Sequence, residues 1–134
     1  MELPLEYRWL KAHGFEGLTP WYLIDPQDSE EIRKEYQIET GKDIIPFARR
    51  QDNDDVAGFE CVGSETTSAV ITCHLTWASR LEVNGFPSIG ESKDLFTWLS
   101  NVVIPATKEW MNEEELKEIE SNQKELEEND AQTE

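Results

Sequence analysis

Basic residues are scarce in this chain. Twelve Lys and Arg stand against 29 Asp and Glu, a net charge of -17. A field of that sign repels nucleic acid and anionic membrane surfaces and draws basic partners from a distance. Neither nucleic acid nor membrane is therefore expected as a partner. No apolar run approaches the ~20 residues of a membrane span, and the opening Met1-Glu2-Leu3-Pro4-Leu5-Glu6 carries acids where a signal peptide carries lysines. A cytoplasmic protein is the expectation. Cysteines number two, Cys61 and Cys73. They can pair only if their strands are neighbours; a cytosolic chain with each thiol inside an apolar run keeps both small, buried and reduced.

Motifs that carry chemistry are missing too. No glycine-rich phosphate loop occurs. The acidic run Asp52-Asn53-Asp54-Asp55 begins like a calcium loop, but an EF-hand starting at Asp52 needs Gly sixth and Glu twelfth, where this chain has Ala57 and Gly63. Zinc fares no better: Cys73 and His74 are adjacent, and adjacent strand residues face opposite sides. The serines have no histidine and acid at a recognisable spacing, although a triad assembled by the fold lies beyond what spacing can test. The expectation is no cofactor, no metal and no catalysis.

What the chain does contain suits one domain. At 134 residues, with 37% hydrophobic residues and five tryptophans, it can bury on the order of two thirds of its unfolded surface. Leu5, Trp9 and Leu10 share a helical face that Gly14 ends, with His13 in the last turn, where its imidazole suits the negative end of the helix dipole. Pro20 to Ile24 reads as a buried loop or short strand. Asp28 or Ser29 caps a helix carrying Ile32 and Tyr36 and ending near Gly41, its exposed face mixed in charge.

Two apolar runs, Ile44-Ile45-Pro46-Phe47-Ala48 and Val56-Ala57-Gly58-Phe59, flank an Asp/Asn-rich turn and read as a hairpin with acids on its tip. A further strand spans Thr66 to Ala78, and Arg80 to Phe86 reads as a short strand with an Asn-Gly turn. Ser92 offers a cap to a helix with a wide apolar stripe through Leu95, Phe96, Trp98, Leu99, Val102 and Val103, interrupted at Pro105 and restarted at Thr107. Trp9, Trp98 and Trp110 are read as core. So are Trp21 and Trp77, with a partner anchor as the other use such residues have. From residue 113 to 134 there are ten acids and two lysines, which predicts a frayed helix to about residue 128 and a disordered end. The fold class expected is α+β: one domain over residues 1–112, an antiparallel sheet of four or more strands with N-terminal and C-terminal helices packed on it, then the acidic extension.

The order Ile-Pro-Phe-Ala at 45–48, a charged Asp-rich turn, and Phe59 opening the next strand resembles the central hairpin of the SUKH superfamily. Leu18-Thr19-Pro20-Trp21-Tyr22 and Leu95-Phe96-Thr97-Trp98-Leu99 lie where that family places its Pro-aromatic entry and a C-terminal helix, so the likeness spans roughly residues 15 to 104. One departure stands out: the family's Gly-Gly-Asp type turn is replaced by Gln51-Asp52-Asn53-Asp54-Asp55, without glycine. The resemblance implies a small α+β protein related to a fungal regulator of cell-wall glucan synthesis and used by bacteria as an immunity protein against secreted toxins.

Two functions follow as expectations. The first is an immunity protein that blocks a basic toxin domain, pictured as a nuclease, with Asp52, Asp54, Asp55 and Glu60 standing in for substrate phosphates. The second is a regulatory or scaffold module like the fungal relative. The acids at the tip are otherwise turn formers, because a solvated tip supplies neither the burial nor the close like charge that raises a catalytic carboxyl's pKa.

Overall fold

The computed structural model describes residues 2–81 and 87–132. Six antiparallel strands form one sheet in strict sequence order, β1 (Gly17–Leu18), β2 (Trp21–Leu23), β3 (Asp43–Arg50), β4 (Asp55–Val62), β5 (Glu65–His74) and β6 (Ser88–Ser92). Helix α1 (Leu5–Ala12) and the C-terminal α3 (Leu95–Trp98), a π-helical segment Leu99–Val103 and α4 (Ile104–Trp110) cover one face, while α2 (Glu30–Thr40) covers the other. This is the expected α+β architecture. A last helix, α5 (Glu113–Gln132), carries most of the acidic segment. No helix among the described residues is long and apolar enough to cross a membrane.

The alternation of strand side chains divides the core between the two faces. Ala57, Phe59 and Val70 point toward Tyr7 of α1 and Leu95 and Trp98 of α3. Val56, Ile71 and Cys73 point toward Ile32 and Tyr36 of α2. On the first face Phe47 stacks on Phe59 at 4.4 Å, and Trp98 meets Trp21 and Phe47 edge-on at 5.3 and 5.2 Å. The Trp98 indole N–H also donates to Thr72 Oγ1 at 3.0 Å, whereas the Trp21 indole N–H is buried without a partner among the described residues. Pro46 lies in an interior strand although it has no N–H; the β3–β4 register shifts between Pro46 and Ala48, and a bulge there is where sheets tolerate proline.

Several expectations change on the structure. Trp9 is 61% exposed, in a tilted contact with His13 at 5.0 Å, because α1 buries the face that carries Tyr7. Asp94, not Ser92, caps the helix after β6: its carboxylate accepts the Thr97 N–H at 2.8 Å, while Ser92 is buried at the end of the strand. Pro105 does not break the helix. The wider π turns directly ahead of it take up a residue that has no N–H to give. The long strand ends at His74 rather than Ala78, and Arg80 and Leu81 belong to no strand; the remainder of the expected Arg80–Phe86 strand and its Asn-Gly turn lies outside the described residues.

Candidate functional site

The β3–β4 hairpin ends in the turn Gln51–Asp54. Asn53 Oδ1 accepts the Asp55 N–H at 2.8 Å, and the Gln51 N–H donates to Pro20 O at 2.9 Å. None of these turn residues has a positive φ. That explains how the hairpin closes without a glycine, since only left-handed backbone demands one.

The tip acids differ in surroundings. Arg50 Nε donates to Asp52 Oδ1 at 2.6 Å, and this bond holds the Asp52 carboxyl below the usual carboxylate range. Asp54 is exposed. Asp55 opens β4, where its carboxylate lies 2.7 Å from Nδ1 of His74 on the neighbouring strand. Glu60 is elsewhere: it pairs with Ile44 at the far end of β4, about 17 Å along the strand from Asp55 at ~3.4 Å per residue. There it borders a shallow cleft with Lys42 and Asp43. The structure therefore brings Asp52, Asp54 and Asp55 together and leaves Glu60 apart.

The fold adds a row that spacing did not show. Asp55, His74 and Ser88 are register partners across β4, β5 and β6, so an acid, an imidazole and a hydroxyl stand side by side. His74 bonds Asp55, whereas no hydrogen bond joins His74 to Ser88 among the described residues. The row opens on a cleft of about 450 Å3 between the β5–β6 edge and α3, lined with Thr72, Ser92, Lys93, Thr97 and Asn101. Its walls supply donors and acceptors of both signs.

A second set of carboxylates escaped the sequence reading altogether. The α2 face that carries Ile32 and Tyr36 also buries Glu35 and Glu39, with Glu39 fully inaccessible. Past His74 the chain turns inward, Leu75 enters the core under α2, and the next residues bind these acids. Glu39 accepts the N–H and hydroxyl of Thr76 at 2.9 and 2.7 Å and the Trp77 N–H at 3.0 Å. Glu35 accepts the N–H and hydroxyl of Ser79, both at 2.9 Å. Burial pushes the Glu39 carboxyl up, but hydrogen bonds from Thr76 and Trp77 outweigh it and leave the pKa below its ordinary value. The signal was present: 32, 35, 36 and 39 form one helical stripe, with Glu at two of its four positions.

Both cysteines are free and buried. Cys61 sits opposite Asp43 and Cys73 opposite Val56, at opposite ends of β4, which forbids a bond between them. Desolvation pushes the Cys73 thiol up to about 12. Neither is a nucleophile at neutral pH. In comparisons with protein-family models, curated proteins and solved structures, nothing matches this chain.

Proposed function

We propose that the chain is a SUKH-type immunity protein that works in the cytoplasm, binding a toxin domain and neutralising it by occlusion, without catalysis. The observation that carries this reading is the hairpin tip. Asp52 and Asp54 on the turn and Asp55 at the start of β4 lie together at one end of the hairpin, in a chain whose net charge is -17. A nuclease must bind polyanions, so its cleft offers Lys and Arg, and fixed carboxylates on a protruding turn fit such a cleft as phosphates do. Their main effect is on association: complementary charge steers the encounter, and salt screens it. Glu60 stands outside this contact and serves as the internal control.

The test begins with affinity capture of the tagged protein from its own cells, washed at low and at high salt. Recovery of one basic toxin-like polypeptide, retained at low salt and partly lost at high, supports the reading and supplies the partner for an inhibition assay. With that partner, Asp52→Asn combined with Asp54→Asn slows association and flattens its salt dependence, and Glu60→Gln changes neither. Unchanged rate and salt slope in the double variant would sink the tip as the contact. Recovery of a housekeeping enzyme or signalling protein instead points to a regulatory module.

A further inference from the structure

The sheet's β1 edge and the α4–α5 junction enclose a groove of about 470 Å3 that plays no part in the tip. Its walls are mainly apolar: Leu18 of β1, Trp110 at the end of α4, Met111, and Leu116 and Ile119 one turn apart on α5. These side chains are not core. Met111 is 70% exposed, and Leu18, Leu116 and Ile119 are between 40% and 51% exposed. A contiguous apolar strip of this kind on an otherwise charged surface is the mark of a contact site.

The helix that forms one wall has little else to hold it. Met111 leaves the helical conformation, and Asn112 restarts it by accepting the Glu115 N–H at 2.8 Å. Beyond that cap α5 makes no extensive contact with any other element among the described residues. Isolated helices draw little stability from propensity alone, so one with an uncovered apolar row gains from a partner laid along it.

Charge decides which partner. Glu113 and Glu115 line the groove, and no Lys or Arg does so among the described residues. A second copy of this chain would set the α5 acids Glu113, Glu114, Glu115 and Glu118 against their own equivalents. An amphipathic helix with large apolar residues on one face and Lys or Arg on its flanks meets both the apolar floor and the acidic rim. The groove also adjoins the tip. Leu18 pairs with Trp21, which pairs with Arg50, the residue that holds Asp52; two strand spacings of ~4.8 Å separate Leu18 from Arg50.

We infer that this groove is a second docking site, for a basic amphipathic helix of the partner, contiguous with the acidic tip. It rests on the proposed basic partner but on different residues, so the two readings fail separately. The probe is a 15-residue helix-forming peptide with Leu at i, i+3, i+4 and i+7 and Lys elsewhere, compared with a scrambled peptide of the same composition. The expected result is binding at least tenfold tighter than the scramble, with NMR shifts centred on the methyls of Met111 and Ile119. Leu116→Ser with Ile119→Ser, both surface changes, lowers that affinity tenfold or more, while Asp52→Asn with Asp54→Asn costs only a few-fold. Equal binding of the two peptides, or indifference to the groove variant in a chain whose remaining methyl spectrum is intact, overturns the inference. So does concentration-dependent self-association that the groove variant abolishes, which would assign the groove to a second copy. If groove variants weaken binding and tip variants leave rate and salt dependence unchanged, the groove stands and the tip falls.

Discussion

Glu39, in the last turn of α2, accepts the backbone N–H of Trp77 at 3.0 Å, 38 residues further on, and Trp77 there adopts a left-handed backbone with φ 59°. Ser79, held by Glu35, is left-handed as well, with φ 54°. Each such non-glycine residue costs roughly 1–2 kcal/mol. The two buried carboxylates offset that cost and fix the path by which the chain leaves β5. Trp77 is thereby left half exposed at that turn of the chain.

Replacing Glu39 with Gln keeps the shape and removes an acceptor. One amide end still accepts from Thr76, but the other is an NH2 that faces the Trp77 N–H as a second donor. Leaving a buried donor unpaired costs about 1–3 kcal/mol, so the urea midpoint falls accordingly with the slope unchanged. A variant as stable as the parent would show that the loop is not held through this carboxylate.

Stability should fall at both ends of the pH scale, for opposite reasons. The carboxyls of Glu39, Asp43 and Asp52 are held below their ordinary values; Asp43 is held by Arg33, which donates to it from Nε and Nη2 at 2.8 and 2.7 Å. A depressed carboxyl stabilises fully above its unfolded pKa, near 4, and the contribution is lost as pH falls through the lower folded value. Tyr36 and Cys73 are pushed up by burial to about 12. Their contribution is complete below the unfolded values, roughly 10 and 8.5, and is lost as pH climbs toward 12. Urea midpoints measured from pH 2 to 11 should form a plateau with both limbs. Asp43→Asn flattens the acid limb, and Cys73→Ala the alkaline one. In native protein at pH 7, Cys73 should resist a maleimide that labels it after unfolding.

Gly58 is required by close packing rather than by its backbone angles. A Cβ placed there would lie 2.9 Å from Ile44 Cδ1 and 2.9 Å from the Ile45 carbonyl oxygen. The side chain can swing aside, but the carbonyl belongs to the paired strand and cannot. Gly58→Ala should therefore destabilise by about 1–3 kcal/mol, as overpacking does. Gly63, with φ 63° and open space around it, would respond through strain alone. A thermal midpoint for Gly58→Ala equal to that of the parent would contradict the packing argument.

The Asp55, His74 and Ser88 row invites a hydrolase test with a clear expectation. A serine acts as nucleophile when a base takes its proton, which requires a hydrogen bond that the row lacks between His74 and Ser88. A fluorophosphonate probe should leave Ser88 unlabelled, in the parent and in His74→Ala alike. Labelling that disappears in His74→Ala would make this an esterase-like site and end the purely occlusive reading.

Local pattern made much of this protein legible. Period-two alternation around Phe59 and Val70, the Asx-rich turn and the apolar stripe from Leu95 all act through near neighbours, so the sequence by itself determined the central hairpin, the α2 and C-terminal helices, and the tip acids. β6 went unseen because Ser88-Ile89-Gly90-Glu91-Ser92 has little β propensity; it is a strand because β5 offers it a ladder. Only the tertiary structure decided which face of α1 is inside, and hence that Trp9 is out, and that Glu35 and Glu39 close onto Ser79 and Thr76 beyond β5. It also decided that Glu60 stands about 17 Å from the acid it was grouped with, and that Leu18 meets Ile119 across a groove. Contacts between residues far apart in the chain depend on how elements stack, and stacking is set by the shape of the whole core rather than by any window of sequence.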